Sequence, residues 1–208
     1  MPPKATGMVS IATWNINSVR LRVDQVLRFL EEQQPDVLCL QEIKTLENLF
    51  PHQAFEDAGY TYRAVHGQKG YHGVATISRI PMRELTRHDW QANGEARHVG
   101  VELLGPGQGL VLENVYIPAG GDIPDREVNP KFGQKLDFLE RMTRWADGLG
   151  TNFVPTNALE SISKTLIANR PRASSERNFW GKCNTTPACP TACHSRKGGR
   201  STFSAMRF

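Results

Sequence analysis

Between residues 8 and 150 the chain switches between two hydrophobic periodicities. Residues 8–14 place Val9, Ile11 and Thr13 on one side of an extended segment, which predicts a strand running into a turn at Asn15-Ile16-Asn17-Ser18. Val23, Val26, Leu27 and Leu30 then recur at helical spacing and predict an amphipathic helix over 19–34. Pro35-Asp36 ends it, and Val37-Leu38-Cys39-Leu40 reads as a short buried strand that delivers Gln41-Glu42 at its C-terminal end. Further strands are predicted over 73–78, 98–103 and 110–117. Asn129-Pro130 is a cap and first-turn pair, opening a second amphipathic helix that continues through Leu136, Phe138, Leu139, Met142 and Trp145. Strands alternating with helices predict an α/β layered domain over 8–150.

The pattern stops near residue 150. No Val, Leu or Ile occurs in the 41 residues after Ile167, and Phe179, Trp180, Phe203 and Phe208 stand singly among Arg, Ser, Thr, Asn, Pro, Gly and Cys. Such a segment buries too little apolar surface to offset the entropy of ordering it, so 168–208 is predicted to be disordered or poorly packed. Only a short helix over 158–168 is suggested, with Leu159, Ile162, Leu166 and Ile167 approximating one face. Charge divides at the same place. Residues 1–150 carry 16 Lys+Arg against 19 Asp+Glu, a net of −3, and residues 151–208 carry 9 against 2, a net of +7. The overall charge of +4 therefore says nothing about the front part, whose partners must be read from its motifs.

Two classes are excluded by composition. No apolar run approaches the roughly 18 residues that a membrane span needs. Met1-Pro2-Pro3-Lys4-Ala5-Thr6 has no apolar signal core, so the chain is expected in the cytoplasm, without a membrane partner. Cys183, Cys189 and Cys193 beside His194 could hold zinc, but the C-x5-C and C-x3-C-H spacings lack the C-x2-C knuckle. Free thiols are the simpler expectation there, and Cys39 is expected in the core.

The chemistry concentrates in two segments. Thr13-Trp14-Asn15-Ile16-Asn17 is an amide-bearing turn after a strand, and Leu38-Cys39-Leu40-Gln41-Glu42-Ile43-Lys44 places a carboxylate just past a buried one. Polar groups at neighbouring strand exits converge on one rim of a sheet, where an ionised Glu and an Asn carbonyl offer hard oxygen ligands to a divalent cation. Alone, each has an ordinary structural reading, since Asn is common in turns and Glu at strand ends.

Residues 11–20 and 35–44 together resemble bacterial exodeoxyribonuclease III, of the apurinic/apyrimidinic endonuclease group in the endonuclease/exonuclease/phosphatase superfamily. Three later stretches agree in order: Gln68-Lys69-Gly70-Tyr71-His72-Gly73-Val74-Ala75, Asn114-Val115-Tyr116-Ile117-Pro118-Ala119-Gly120-Gly121 and Asn129-Pro130-Lys131-Phe132. The resemblance covers residues 8–147 and implies the first half of a four-layer αββα sandwich. It implies Mg²⁺-dependent hydrolysis of DNA phosphodiesters, with Mn²⁺ as a possible substitute, as 3′-to-5′ exonuclease and as nuclease at abasic sites. It further implies Glu42 as metal ligand, Asn15 at the metal–phosphate centre, Tyr116 as a catalytic phosphate contact, and Lys69, Tyr71 and His72 bordering a groove for double-stranded DNA. The protein is expected to act as a monomer.

The sequence also departs from that family. A Gly-Asp-x-Asn motif should follow the second helix, and an Asp and His should come later. Here residues 151–157 read Thr-Asn-Phe-Val-Pro-Thr-Asn, Asp147 is the last Asp, and His194 is the sole His after His98. Residues 8–150 alone are expected to leave one sheet face bare, and the break at 150 suggests that 151–208 is a frameshift, an insertion or a gene-model artefact, if not a genuine tail. Three alternatives stay open: a phosphatase of the same superfamily, a non-catalytic nucleic-acid binder using the +7 tail, and a non-functional product.

Overall fold

The computed structural model describes residues 9–148, 153–155, 163–169 and 203–207. Strand β1 (Ser10–Asn15) leads into helix α1 (Val19–Gln33), β2 (Val37–Gln41), the short helix α2 (His52–Asp57), β3 (Tyr62–His66) and β4 (Val74–Ser78). Residues 79–81 carry the chain to β5 (Met82–Glu84), β6 (His98–Leu103), β7 (Leu110–Tyr116) and α3 (Pro130–Gly148). Strands β8 (Phe153–Pro155), β9 (Ser163–Asn169) and β10 (Phe203–Arg207) follow. They build two five-stranded sheets, in the orders β10-β1-β2-β4-β3 and β5-β6-β7-β9-β8. Among the described residues no helix is long and apolar enough to cross a membrane.

Alternation along the strands creates the layers. On β2, Leu38 and Leu40 face outward and pack with Val26 and Leu30 of α1 and Phe55 of α2, whereas Val37 and Cys39 face inward toward Val99, Val101 and Leu112 of the other sheet. The third apolar layer joins Val115 and Trp90 to Phe138, Leu139 and Met142 of α3. Each large apolar side chain buried in these layers contributes about 1.5–3 kcal/mol. Asn129 caps α3, its Oδ1 accepting the Lys131 N–H at 3.1 Å.

Two expectations are corrected. Residues 8–150 do not leave a sheet face bare, because the three-residue crossing after β4 moves the chain from one sheet to the other, and the two inner faces cover each other. The helix suggested over 158–168 is, over Ser163–Asn169, a strand. It pairs antiparallel with β7 from Leu110↔Asn169 to Tyr116↔Ser163. An open β7 edge presents unpaired N–H and C=O groups, and that demand overrides a weak helical pattern. Likewise β10 covers the edge of β1, from Ser10↔Arg207 to Trp14↔Phe203. The rest of the region expected to be disordered, and the Cys183, Cys189, Cys193 and His194 cluster, lie outside the described residues.

Candidate active site

Strands β1 and β2 run parallel with Asn15 opposite Gln41, so Asn15 and Glu42 leave the sheet side by side. The two exits are bound together by backbone. Ile16, Ser18 and Val19 N–H groups donate to the carbonyls of Gln41 (3.0 Å), Glu42 (2.7 Å) and Ile43 (3.1 Å). From the other side, the Ile43 and Lys44 N–H groups donate to Gly73 (3.1 Å) and His72 (2.9 Å). Asn17, Ser18, Glu42, Lys44 and His72 all have φ between 48° and 85°, the left-handed region. Each such residue costs on the order of 1–3 kcal/mol, and it persists only where the surroundings over-determine it. Five of the seven non-glycine residues in this conformation among those described therefore sit at one rim. Gly73 is needed beside them, since a Cβ there would overlap the Ile43 side chain.

The Glu42 carboxylate is the centre of this rim. Its Oε1 accepts from Asn15 Nδ2 at 2.7 Å and from the Tyr116 hydroxyl at 2.8 Å, and its Oε2 lies 3.1 Å from Lys44 Nζ. Lys44 Nζ also donates to Asn17 Oδ1, and Asn15 Oδ1 accepts the Asn17 N–H at 3.2 Å. Burial pushes the Glu42 carboxyl up, but the hydrogen bonds from Asn15, Tyr116 and Lys44 and the Lys44 charge outweigh it and hold the group below its ordinary value. It is thus ionised at neutral pH. Burial, and then the Glu42 charge, raise the Tyr116 phenol well above its usual value, so it remains a donor.

Tyr116 comes from the other sheet, and a buried amide pair stitches the sheets next to the rim. Gln41 Nε2 donates to Asn114 Oδ1 at 2.7 Å, and Asn114 Nδ2 donates to the Leu40 and Ala75 carbonyls at 3.2 and 3.0 Å. Gln41 precedes Glu42 by one residue and Asn114 precedes Tyr116 by two, so this stitch sets the register in which phenol meets carboxylate.

The structure brings Asn15, Glu42, Tyr116 and His72 together. The His72 ring lies 5.9 Å from that of Tyr116, and burial with the nearby Arg97 charge lowers its pKa below the imidazole value. Lys69 and Tyr71 lie exposed on the adjoining loop, Tyr71 at 70%. Sequence reasoning did not single out Lys44, Asn17, Gln41, Asn114 or Arg97. Lys44, two residues after Glu42, and Asn17, two after Asn15, had a local signal; Gln41, Asn114 and Arg97 reach the rim through partners distant along the chain.

Among the described residues no group of three or more His, Cys, Asp or Glu is placed to hold a metal ion. A single ionised, partly exposed carboxylate suits a magnesium-type cation that takes its remaining ligands from water and a substrate phosphate, not a closed protein cage. Asn15 Nδ2 donates to Glu42 and its Oδ1 accepts one N–H, from Asn17, so Asn15 braces Glu42 and keeps a second lone pair on Oδ1.

Comparison with known proteins agrees with this architecture. The chain is 32% identical to exodeoxyribonuclease III of Haemophilus influenzae over 137 residues, 65% of this chain and 50% of that protein. It therefore spans half the length of that relative. Among solved structures it is similar to an AP endonuclease from Archaeoglobus fulgidus (30% identity, TM-score 0.59, 71% of this chain and 55% of that one). It is also similar to a 3′ phosphatase from Neisseria bound to a product DNA hairpin (28% identity, TM-score 0.59, 71% and 56%). Residues 12–156 match the endonuclease/exonuclease/phosphatase family, and the chain belongs to that family.

Proposed function

We propose that this chain is a DNA-repair nuclease of the exodeoxyribonuclease III type, acting on double-stranded DNA at abasic sites and 3′ ends. The observation that carries the reading is the Glu42 carboxylate, held ionised at the strand-exit rim by Asn15, Tyr116 and Lys44. Glu42 would hold Mg²⁺ or Mn²⁺, and Asn15 braces it. When bound, the ion supplies neutralisation of charge on the scissile phosphate and activation of a water. The Tyr116 hydroxyl, kept protonated, would turn its single proton from Glu42 to a phosphate oxygen once a cation takes its place on the carboxylate, and Lys44 adds positive charge beside it. Lys69 and Tyr71, exposed on the neighbouring loop, would meet the DNA backbone.

We further propose that catalysis is impaired. Residues 151–157 carry no Gly-Asp-x-Asn, so the sequence offers no Asp there to orient the attacking water. A missing general base costs about 10²–10⁴-fold in rate. The test is Mg²⁺-dependent cleavage of a duplex carrying one abasic site, beside Mn²⁺ binding followed by electron paramagnetic resonance. Slow cleavage and Mn²⁺ binding are expected, both lost in Glu42→Ala. Cleavage or binding that survives Glu42→Ala would overturn the reading. A duplex ending in a 3′ phosphate belongs in the same assay, because one solved relative is a 3′ phosphatase. Phosphate release without strand cleavage would assign the phosphatase alternative. DNA binding that falls steeply with salt and ignores Glu42→Ala would assign the tail-driven binder.

A further inference from the structure

Arg97 sits just before β6, where its carbonyl accepts the Tyr116 N–H at 2.7 Å. Its side chain is only 9% exposed, so it is enclosed rather than offered to a ligand. Nε pairs with the Glu95 carboxylate and donates to Gln91 Oε1 at 2.7 Å. One terminal nitrogen donates to the Tyr116 carbonyl at 3.3 Å, and the other lies 3.4 Å from His72 Nε2. The guanidinium carbon stands 4.8 Å from the centre of the Tyr116 ring, within cation–π range. Its contacts thus end on Tyr116, on His72 beside it, and on Glu95 and Gln91, which hold Arg97 against the ring.

We propose that Arg97 is a positioning residue for Tyr116, clamping ring and backbone so that the phenol stays aimed at Glu42. The inference rests on the reading of Glu42 and Tyr116 as the reaction centre. Arg97 touches neither Glu42 nor the outside of the rim, and Glu95 is paired with it. Its ring and carbonyl contacts fall on Tyr116 and one terminal nitrogen on His72, so its effect on the reaction centre is assigned to Tyr116 and the double variant separates the two routes. A planar fork that stacks on a ring and holds a carbonyl at once is a property of Arg that Lys lacks.

The experiment uses the full chain labelled with 3-fluorotyrosine. The protein has four tyrosines, so Tyr116→Phe assigns the Tyr116 fluorine signal. Arg97→Lys is expected to shift and broaden that signal alone while the chain stays folded. On the abasic duplex it is expected to lower kcat by about tenfold with KM little changed, and to cause no further loss in a Tyr116→Phe background. An unchanged Tyr116 signal in Arg97→Lys overturns the proposal. So does an equal kcat loss with and without the Tyr116 hydroxyl, which would mean that Arg97 acts independently of it. If Arg97→Lys does not fold, Glu95→Gln releases the same clamp from its far side and is read by the same signal. If the wild-type chain cleaves no DNA, the nuclease reading fails separately, and the fluorine spectrum still decides whether Arg97 holds Tyr116.

Discussion

Two carboxylates of the molecule, Glu113 and Glu42, are held in opposite ways. Glu113 lies on β7 under α3, its side chain 4% exposed, with His98 on β6 fully buried beside it. His98 Nε2 donates to Glu113 Oε2 at 2.7 Å, and its Nδ1 accepts the His88 N–H at 2.9 Å, which leaves the imidazole fully occupied. Trp90 and Trp145 wall the pair, at 4.5 and 6.1 Å from the His98 ring. Gly100, directly opposite Glu113, leaves the room that the carboxylate fills. Glu42 instead sits on strained backbone at an accessible rim, with donors from both sheets and side-chain exposure of 18%. A buried titratable pair is therefore not by itself a reactive site. Access and backbone strain separate the two.

Removing Glu113 is expected to be the most damaging way to break that contrast. Glu113→Ala leaves a buried imidazole N–H without a partner, and should cost about 3 kcal/mol in urea unfolding. Mn²⁺ binding by the folded fraction should be unchanged. A variant as stable as wild type would show that the pair holds nothing. Asn114→Ala, which cuts the amide stitch between the sheets, is expected to cost about 2 kcal/mol and to weaken Mn²⁺ binding as well. A loss of stability alone would mean that the stitch does not set the rim.

Asn129→Ala is expected to cost about 1 kcal/mol, since it removes the cap of α3. Asn129 Nδ2 also donates to the Gly120 and Ile123 carbonyls at 2.8 and 2.6 Å, so the loop after Tyr116 should gain amide-hydrogen exchange in the same variant. The smallest effect is on pH dependence. Glu42 is held below its ordinary 4.5, so the stability that it adds is complete above that value and fades as pH falls through its lowered folded value. Urea midpoints between about pH 3 and 6 should show this acid-side loss in wild type and not in Glu42→Gln. Parallel profiles for the two proteins would refute it.

Much of the fold was legible along the chain. The strands ending at Asn15 and Gln41, the helix at Val19–Gln33 and the capped helix after Asn129 follow from period and punctuation, because their burial is decided by near neighbours. The same patterning said little about 163–169, where Thr165, Leu166 and Ile167 suit a helix or a strand, and only the open edge of β7 decides. Glu42, Asn15 and Tyr116 were found through motif resemblance, and Lys44 lay within the same motif. Arg97 and the Gln41–Asn114 stitch carried no local signal, since the stitch joins residues 73 apart.

By itself, then, the sequence determined the α/β alternation, the convergence of Asn15 and Glu42 at neighbouring strand exits, and the absence of Asp after Asp147. These are consequences of residue order and of the turn each residue can make. Tertiary structure alone decided that one half-length segment supplies both sheets, and that a phenol from the second sheet lands on a carboxylate from the first. That pairing depends on how two sheet faces slide into register. Register is set by long-range packing and buried amide contacts, which no short window of sequence contains.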